Sequence, residues 1–308
     1  MMLARIDPIN KKIVLISVPR DLWVPLPLQP GSEPVWGKIN SAYAIGNDQR
    51  GYQNRDEQYK GEHGGGALAS TAIATVTGLK PDYYAAVNFS AFTQAIDTIG
   101  PLKVTVPQTF NDPLYPITGE EKNLCQFTEA DLATLSAVFK NGELEKQFTC
   151  RYELLHFDKG AMVMDGETAL KFVRSRHGDV GGNDFGRAER QQALVDAIKQ
   201  KVFSLSFIPR ILPLAQKMLD NVQTNIALAD LPVLLGRFTD ITTYSLYSIT
   251  LTDDNVLHNG IGTGRQFVLQ PKAGQGNWSE IQWYINAELK KATASAGLAA
   301  STSAQISN

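Results

Sequence analysis

The stretch FVRSRHGDVGGNDFGRAERQQ gathers four arginines, Arg174, Arg176, Arg187 and Arg190, and places Gln191 beside the last of them. The segment DFGRAERQQALVDAIKQKVFSLS reads as a helix with Asp184 as its N-cap. On that helix Arg187, Gln191, Leu194 and Ile198 recur at i, i+4, i+7 and i+11 and share one face. The far end of the face is apolar, so it should turn toward the core, while its near end carries an arginine and a glutamine. Cations at a helix N-terminus oppose the macrodipole, at a cost of about 0.3–1 kcal/mol each. Arg174 and Arg176 are two apart, so in extended chain they project to one side. Guanidiniums gathered at a helix N-terminus repel one another unless an anion lies among them, and the free N–H groups there favour the same guest. Arginine's planar fork grips phosphate oxygens in pairs and keeps its charge. Phosphate or pyrophosphate is therefore the guest that fits. A solvated basic face, with Asp179, Asp184 and Glu189 as partners, is the bland alternative.

Arg20 ends the hydrophobic strand KIVLISVPR, and ligands of open α/β sheets gather at the carboxyl ends of strands. Its alternative role is a local pair with Asp21. Lys38, in GKIN, belongs to a rim of such a site or is simply solvated. HGGGALAST lacks the G-K-[ST] ending of a Walker loop, which excludes that kind of nucleotide site. His177 could do acid–base work but shows no partner in the sequence. Cys125 and Cys150 flank the segment FTEADLATLSAVFKNGELEKQF; one disulfide in an oxidising compartment and two separate thiols are both open. CxxC and HxxxH spacings are absent, which argues against a Cys/His zinc site.

These residues need a scaffold, and the composition supplies one: 43% of the 308 residues are hydrophobic, enough for one large domain or two small ones. A net charge of −2 argues against bulk nucleic-acid binding. No run of about 20 apolar residues appears, nor a signal peptide. The chain opens in MMLARID, already a strand, and sequence upstream of Met1 is expected. DPINKK is a turn joining it to KIVLISVPR. Residues 22–62 read as loop; ALASTAIATVT as helix capped by Gly78; DYYAAVNF, SAFTQAIDTIG and LKVTVP as strand, helix, strand. FNDPLYPITGEEKNLC reads as an irregular insertion, and MDGETALKF as a helix capped by Asp165. IPRILPLAQKMLDNV, LADLPVLLGRF and GNWSEIQWYINAELKKA read as helices, ITTYSLYSITL and RQFVLQP as strands. The alternation implies an α/β layered fold.

As a set, P-R-D at residues 19–21, K-I-N-S-A-Y at 38–43, R-S-R at 174–176 and D-F-G-R-A-E-R-Q at 184–191 resemble the LytR-CpsA-Psr proteins, in order over residues 1–205. The resemblance implies an α/β/α sandwich around a central mixed β-sheet, here one domain over 1–292; the polar, small-residue end of the chain reads, by composition, as a disordered tail at 293–308. It implies an extracytoplasmic enzyme at the bacterial membrane and cell wall, whose anchor is missing from this chain. Such enzymes move a glycopolymer, teichoic acid or a similar wall polysaccharide, from a polyprenyl-pyrophosphate carrier onto peptidoglycan through a phosphodiester link. By motif, Arg20, Lys38, Arg174, Arg176, Arg187, Arg190 and Gln191 correspond to the pyrophosphate-binding set, and Asp184 to the acid of D-x-x-R; Arg190 could instead pair with a neighbouring element. The catalytic group is then Arg20, Arg174, Arg176, Asp184 and Arg187, acting in phosphoryl transfer with magnesium bridging the phosphates. The family's magnesium carboxylates would lie upstream of Met1, which leaves this chain's own turnover open. Partners follow: the lipid-linked glycopolymer, a peptidoglycan acceptor and the membrane surface, with no nucleic acid. ALASTAIATV and FSLSFIPRILPLAQKML could line a tunnel for the prenyl tail, or be plain core. A non-catalytic binder of the same lipids and a lipid pyrophosphate hydrolase are the other readings.

Overall fold

The computed structural model describes residues 1–48, 50–140, 143–182, 184–202, 222–236 and 243–304. Two compact units are present: Met1–Ile99 with Lys199–Asn308, and Gly100–Ile198.

The first unit is built on a hairpin, β1 (Met2–Asp7) and β2 (Lys12–Ser17), paired antiparallel from Met2 opposite Ser17 to Asp7 opposite Lys12. Asp7 makes the turn, its carboxylate accepting the Ile9 and Asn10 backbone N–H groups and the Asn10 side chain. Next come β3 (Trp23–Leu26) and β4 (Val35–Lys38), paired antiparallel, then α1 (Ser41–Asn47), all within a stretch the sequence reads as loop. Their strands are short and carry Pro25 and Gly37, so periodicity gives them no signal. α2 (Gly64–Thr77) ends at Gly78, whose φ of +71° is the left-handed cap expected there. β5 (Ala85–Val87) and α3 (Phe89–Ile99) complete the N-terminal part.

The second unit follows with β6 (Leu102–Val106), β7 (Phe110–Pro116), α4 (Glu129–Val138), β8 (Tyr152–Phe157), β9 (Gly160–Met164), α5 (Gly166–Arg174) and α6 (Asp184–Val202), the last running across the boundary. β7 corrects the reading of FNDPLYP as irregular. It pairs antiparallel with β8 through a register shift between Asp112 and Tyr115, where Pro113 has no N–H for the ladder. β6 pairs antiparallel with β9. Phe110 stacks on Phe157 at 5.1 Å, and Phe172 of α5 packs against both, forming the unit's aromatic core. Cys125 and Cys150 form a disulfide across the α4 insertion.

The chain returns to the first unit with β10 (Val222–Thr224), α7 (Leu231–Gly236), β11 (Ser245–Thr250), β12 (Leu257–Ile261), β13 (Phe267–Pro271) and α8 (Ser279–Ala304). β11 joins the free edge of β2 in parallel, giving the mixed sheet β1-β2-β11. β2 is buried on both faces, as the middle strand of a layered fold requires. Val14 and Ile16 share a core with Leu68, Ala72, Ile73 and Val76 of α2 and Ile281, Ile285 and Leu289 of α8. The apolar face of α2 is thus core. The helix expected in IPRILPLAQKMLDNV and the stretch FSLSFIPRILPLAQKML lie outside the described residues. α8 continues past residue 292 to Ala304, through an alanine-rich run of high helix propensity. Among the described residues no helix is long and apolar enough to cross a membrane.

Candidate functional site

The turn that carries Arg176 in the second unit is held by a residue outside the arginine motifs. Asp112, on β7, is wholly buried. Its Oδ2 accepts the Ser175 hydroxyl at 2.7 Å, the Arg176 N–H at 3.0 Å and the His177 N–H at 3.1 Å, while Oδ1 accepts the Leu114 N–H at 3.0 Å. Burial works to raise this carboxyl, but the hydrogen bonds from Ser175, His177, Leu114 and Arg176 outweigh it and hold the group below the usual carboxylate range. Ser175, the middle residue of R-S-R, is pinned inward with no exposed surface. Arg176 is exposed, and Arg174, at the end of α5, is half-buried with its guanidinium 5.8 Å from the Tyr115 ring centre.

Behind this turn stands Arg190, 2% exposed, on α6. One amino group donates to the Ser175 carbonyl at 2.7 Å and another to the Gly181 carbonyl at 2.8 Å, while the guanidinium lies 4.7 Å from the Phe110 ring centre. Burial first, then the nearby Arg187 charge, brings its pKa down to about 10, so it stays charged at neutral pH. Arg190 therefore braces the loop instead of facing solvent as Arg176 does, the pairing with a neighbouring element that the sequence left open. This also corrects the expected inward face: Arg190, Leu194 and Ala197 are buried, while Arg187 and Gln191 are half-buried, about 60° and about 100° around the helix from Arg190. Gly186 lets helix and loop meet, since a Cβ there would sit 2.1 Å from the Gly181 carbonyl oxygen. Asp184 opens α6. Asp179, offered by the solvated-face reading as an arginine partner, is instead engaged by Asn111, whose backbone and side-chain N–H groups it accepts at 2.7 and 2.8 Å. His177 gains a neighbour unseen in the sequence: its Nδ1 lies 4.0 Å from Asp112 Oδ1.

In the first unit, P-R-D and K-I-N form one piece. Ile39 N–H donates to the Leu22 carbonyl at 2.8 Å and Asn40 N–H to the Arg20 carbonyl at 3.3 Å. Lys38 Nζ donates to Asp21 Oδ1 at 2.7 Å, and Arg20 Nε stands 3.8 Å from the same oxygen. That second distance is an ion pair without a hydrogen bond, and Arg20 Nε is buried with no hydrogen-bond partner among the described residues. An orphaned guanidinium N–H costs about 1–3 kcal/mol unless an acceptor arrives from outside.

A model of the LytR_cpsA_psr family matches residues 1–276. The chain belongs to the LytR_cpsA_psr family. It is 24% identical over 273 residues to the polyisoprenyl-teichoic acid–peptidoglycan teichoic acid transferase TagV of Bacillus subtilis (strain 168), covering 89% of this chain and 55% of that protein. To the transferase of the same description, TagU, of Oceanobacillus iheyensis it is 26% identical over 238 residues, 77% of this chain and 56% of that protein. The chain spans about half the length of the curated relatives it matches. The crystal structure of B. subtilis TagV superposes with a TM-score of 0.57 at 22% identity, over 94% of this chain and 88% of that one. A structure of TagT bound to LI-WTA gives 0.54 at 20% identity, over 94% and 84%. These likenesses show that the chain has the α/β fold of the LytR_cpsA_psr family.

Within this LytR_cpsA_psr chain, no three His, Cys, Asp or Glu side chains gather into a metal-holding group among the described residues. Asp21 is already engaged by Lys38 and Arg20, and Asp112 by four donors. The described residues do not make a magnesium site. Asp112 escaped the sequence reading because its strand is broken by Pro113; the one available signal was a lone acid in a short β-rich run flanked by aromatics, Phe110 and Tyr115.

Proposed function

We propose that this chain transfers a cell-wall glycopolymer from a polyprenyl-pyrophosphate carrier to peptidoglycan. In this reading the pyrophosphate-binding residues are those the family motifs imply, Arg20, Lys38, Arg174, Arg176, Arg187 and Gln191, with Asp184 at the start of α6. A peptidoglycan sugar hydroxyl attacks the phosphate that carries the glycopolymer. The new P–O–C bond forms as the P–O–P bond breaks, polyprenyl monophosphate leaves, and the hydroxyl proton passes to solvent. Charge must be neutralised on both phosphates as this happens, which fixed guanidiniums do without reorganisation.

The observation that carries the reading is the Asp112–Ser175–Arg190 framework, which buries the middle of R-S-R and leaves Arg176 exposed beside it. Support comes from membership of a family whose relatives include named teichoic acid transferases. The Cys125–Cys150 disulfide supports action outside the cytoplasm, at the membrane and wall, where such a bond persists. The test is a titration with polyprenyl pyrophosphate, with and without magnesium, followed by incubation of lipid-linked teichoic acid with peptidoglycan. Saturable binding and a phosphodiester-linked product support the transferase. Binding without turnover leaves a lipid binder, release of lipid monophosphate without acceptor leaves a hydrolase, and no binding overturns the reading.

A further inference from the structure

We infer that Asp112 is the positioning residue of the second unit's anion site, setting the turn from which Arg176 is presented. The inference rests on the pyrophosphate reading of that site and adds to it a residue outside the arginine motifs. Asp112 lies 63 positions before Ser175 in the chain, yet its carboxylate takes the hydroxyl of that residue and the N–H groups of the two residues after it. Three consecutive residues of the R-S-R-H stretch thus converge on one oxygen. With Ser175 held inward, Arg176 is left on the outward side. Arg190 clamps the same residue from behind, through the Ser175 carbonyl.

The chemistry of the carboxylate excludes other roles for it. A carboxylate offers about four lone-pair sites. Here four donors use them: Ser175 Oγ, Arg176 N, His177 N and Leu114 N. With no exposed surface, Asp112 cannot touch substrate, ligate a metal or take a proton from an acceptor hydroxyl. What remains is geometry. An asparagine would keep the shape but aim an NH₂ group at backbone N–H donors, so the turn must open on one side.

The test exploits a difference of sign. Removing a negative charge near an anion site strengthens anion binding if the charge acts only through Coulomb repulsion. Removing a positioning group weakens it. Wild type and Asp112→Asn, both as the full chain, are titrated with detergent-solubilised polyprenyl pyrophosphate and separately with inorganic pyrophosphate, and their thermal unfolding is recorded. The expected result is at least tenfold weaker binding by Asp112→Asn with cooperative unfolding retained. Unchanged or tighter binding by a folded Asp112→Asn overturns the inference. If Asp112→Asn does not unfold cooperatively, Ser175→Ala decides, because it removes one donor at constant charge: severalfold weaker binding with near-wild-type unfolding supports the positioning role, and equal affinity overturns it. Wild type that binds inorganic pyrophosphate but not the lipid defeats the lipid reading alone, and the variants are then compared on pyrophosphate. Wild type that binds neither defeats both.

Discussion

Arg176 and Arg190 sit fourteen positions apart with the same side chain and opposite environments. Arg176 is exposed, so its loss should leave the fold intact and act on the ligand. Arg176→Ala and Arg187→Ala are each expected to abolish measurable polyprenyl-pyrophosphate binding while thermal unfolding stays cooperative; a collapsed fold would make them structural arginines. Arg190 bridges two carbonyls and packs on Phe110, so even Arg190→Lys should destabilise, by about 1–3 kcal/mol in urea unfolding, because a lysine cannot span both acceptors with a planar fork. Asp112 adds a pH dependence. Its folded pKa lies below the unfolded value of about 3.9, so the stability it confers is full above that pH and is lost as pH falls through the folded value. Acid denaturation of wild type and Asp112→Asn should therefore show a stability gap near neutrality that narrows below about pH 4.

Among elements, α4 lies on a segment held by the Cys125–Cys150 bond and by the buried Phe148, packed edge-on against Phe127. None of its helical residues is buried, and its capping box, Thr128 with Asp131, stabilises only its own first turn. The Cys125–Cys150 bond ties its ends across a separation of 25 residues. In the chain-entropy account a loop of that size is worth about 3.5 kcal/mol. Urea unfolding with and without reductant should show a loss of that order. Pyrophosphate affinity should be unchanged, because the bonds that hold Ser175 come from Asp112 and Arg190, outside the closed segment.

For the molecule as a whole, the first unit draws its core from both ends of the chain. Val14 and Ile16 from the N-terminal hairpin meet Ile281, Ile285 and Leu289 from α8. Ile285 is fully buried, so Ile285→Ala should cost about 2–5 kcal/mol by chemical denaturation, the range for a core cavity that closes only in part. Interactions of such sequence separation slow folding more than they alter the stability finally reached.

Signals carried by near neighbours were legible in the residues: the DPIN hairpin turn, the Gly78 and Asp165 caps, the apolar run of β2, and the family motifs in their order. Each depends on contacts within a few positions, where turn and cap chemistry act. The face of α6 was misjudged because Arg187 and Arg190 differ by only about 60° around a helix, and helical spacing alone does not resolve that. Packing decided it: Phe110 and two backbone carbonyls offered Arg190 a buried place. Asp112 was beyond reach for a related reason. Three of its four donors lie more than sixty positions away, and nothing local to FNDPLYP distinguishes a structural acid from a solvated one until β7 is laid beside the end of α5.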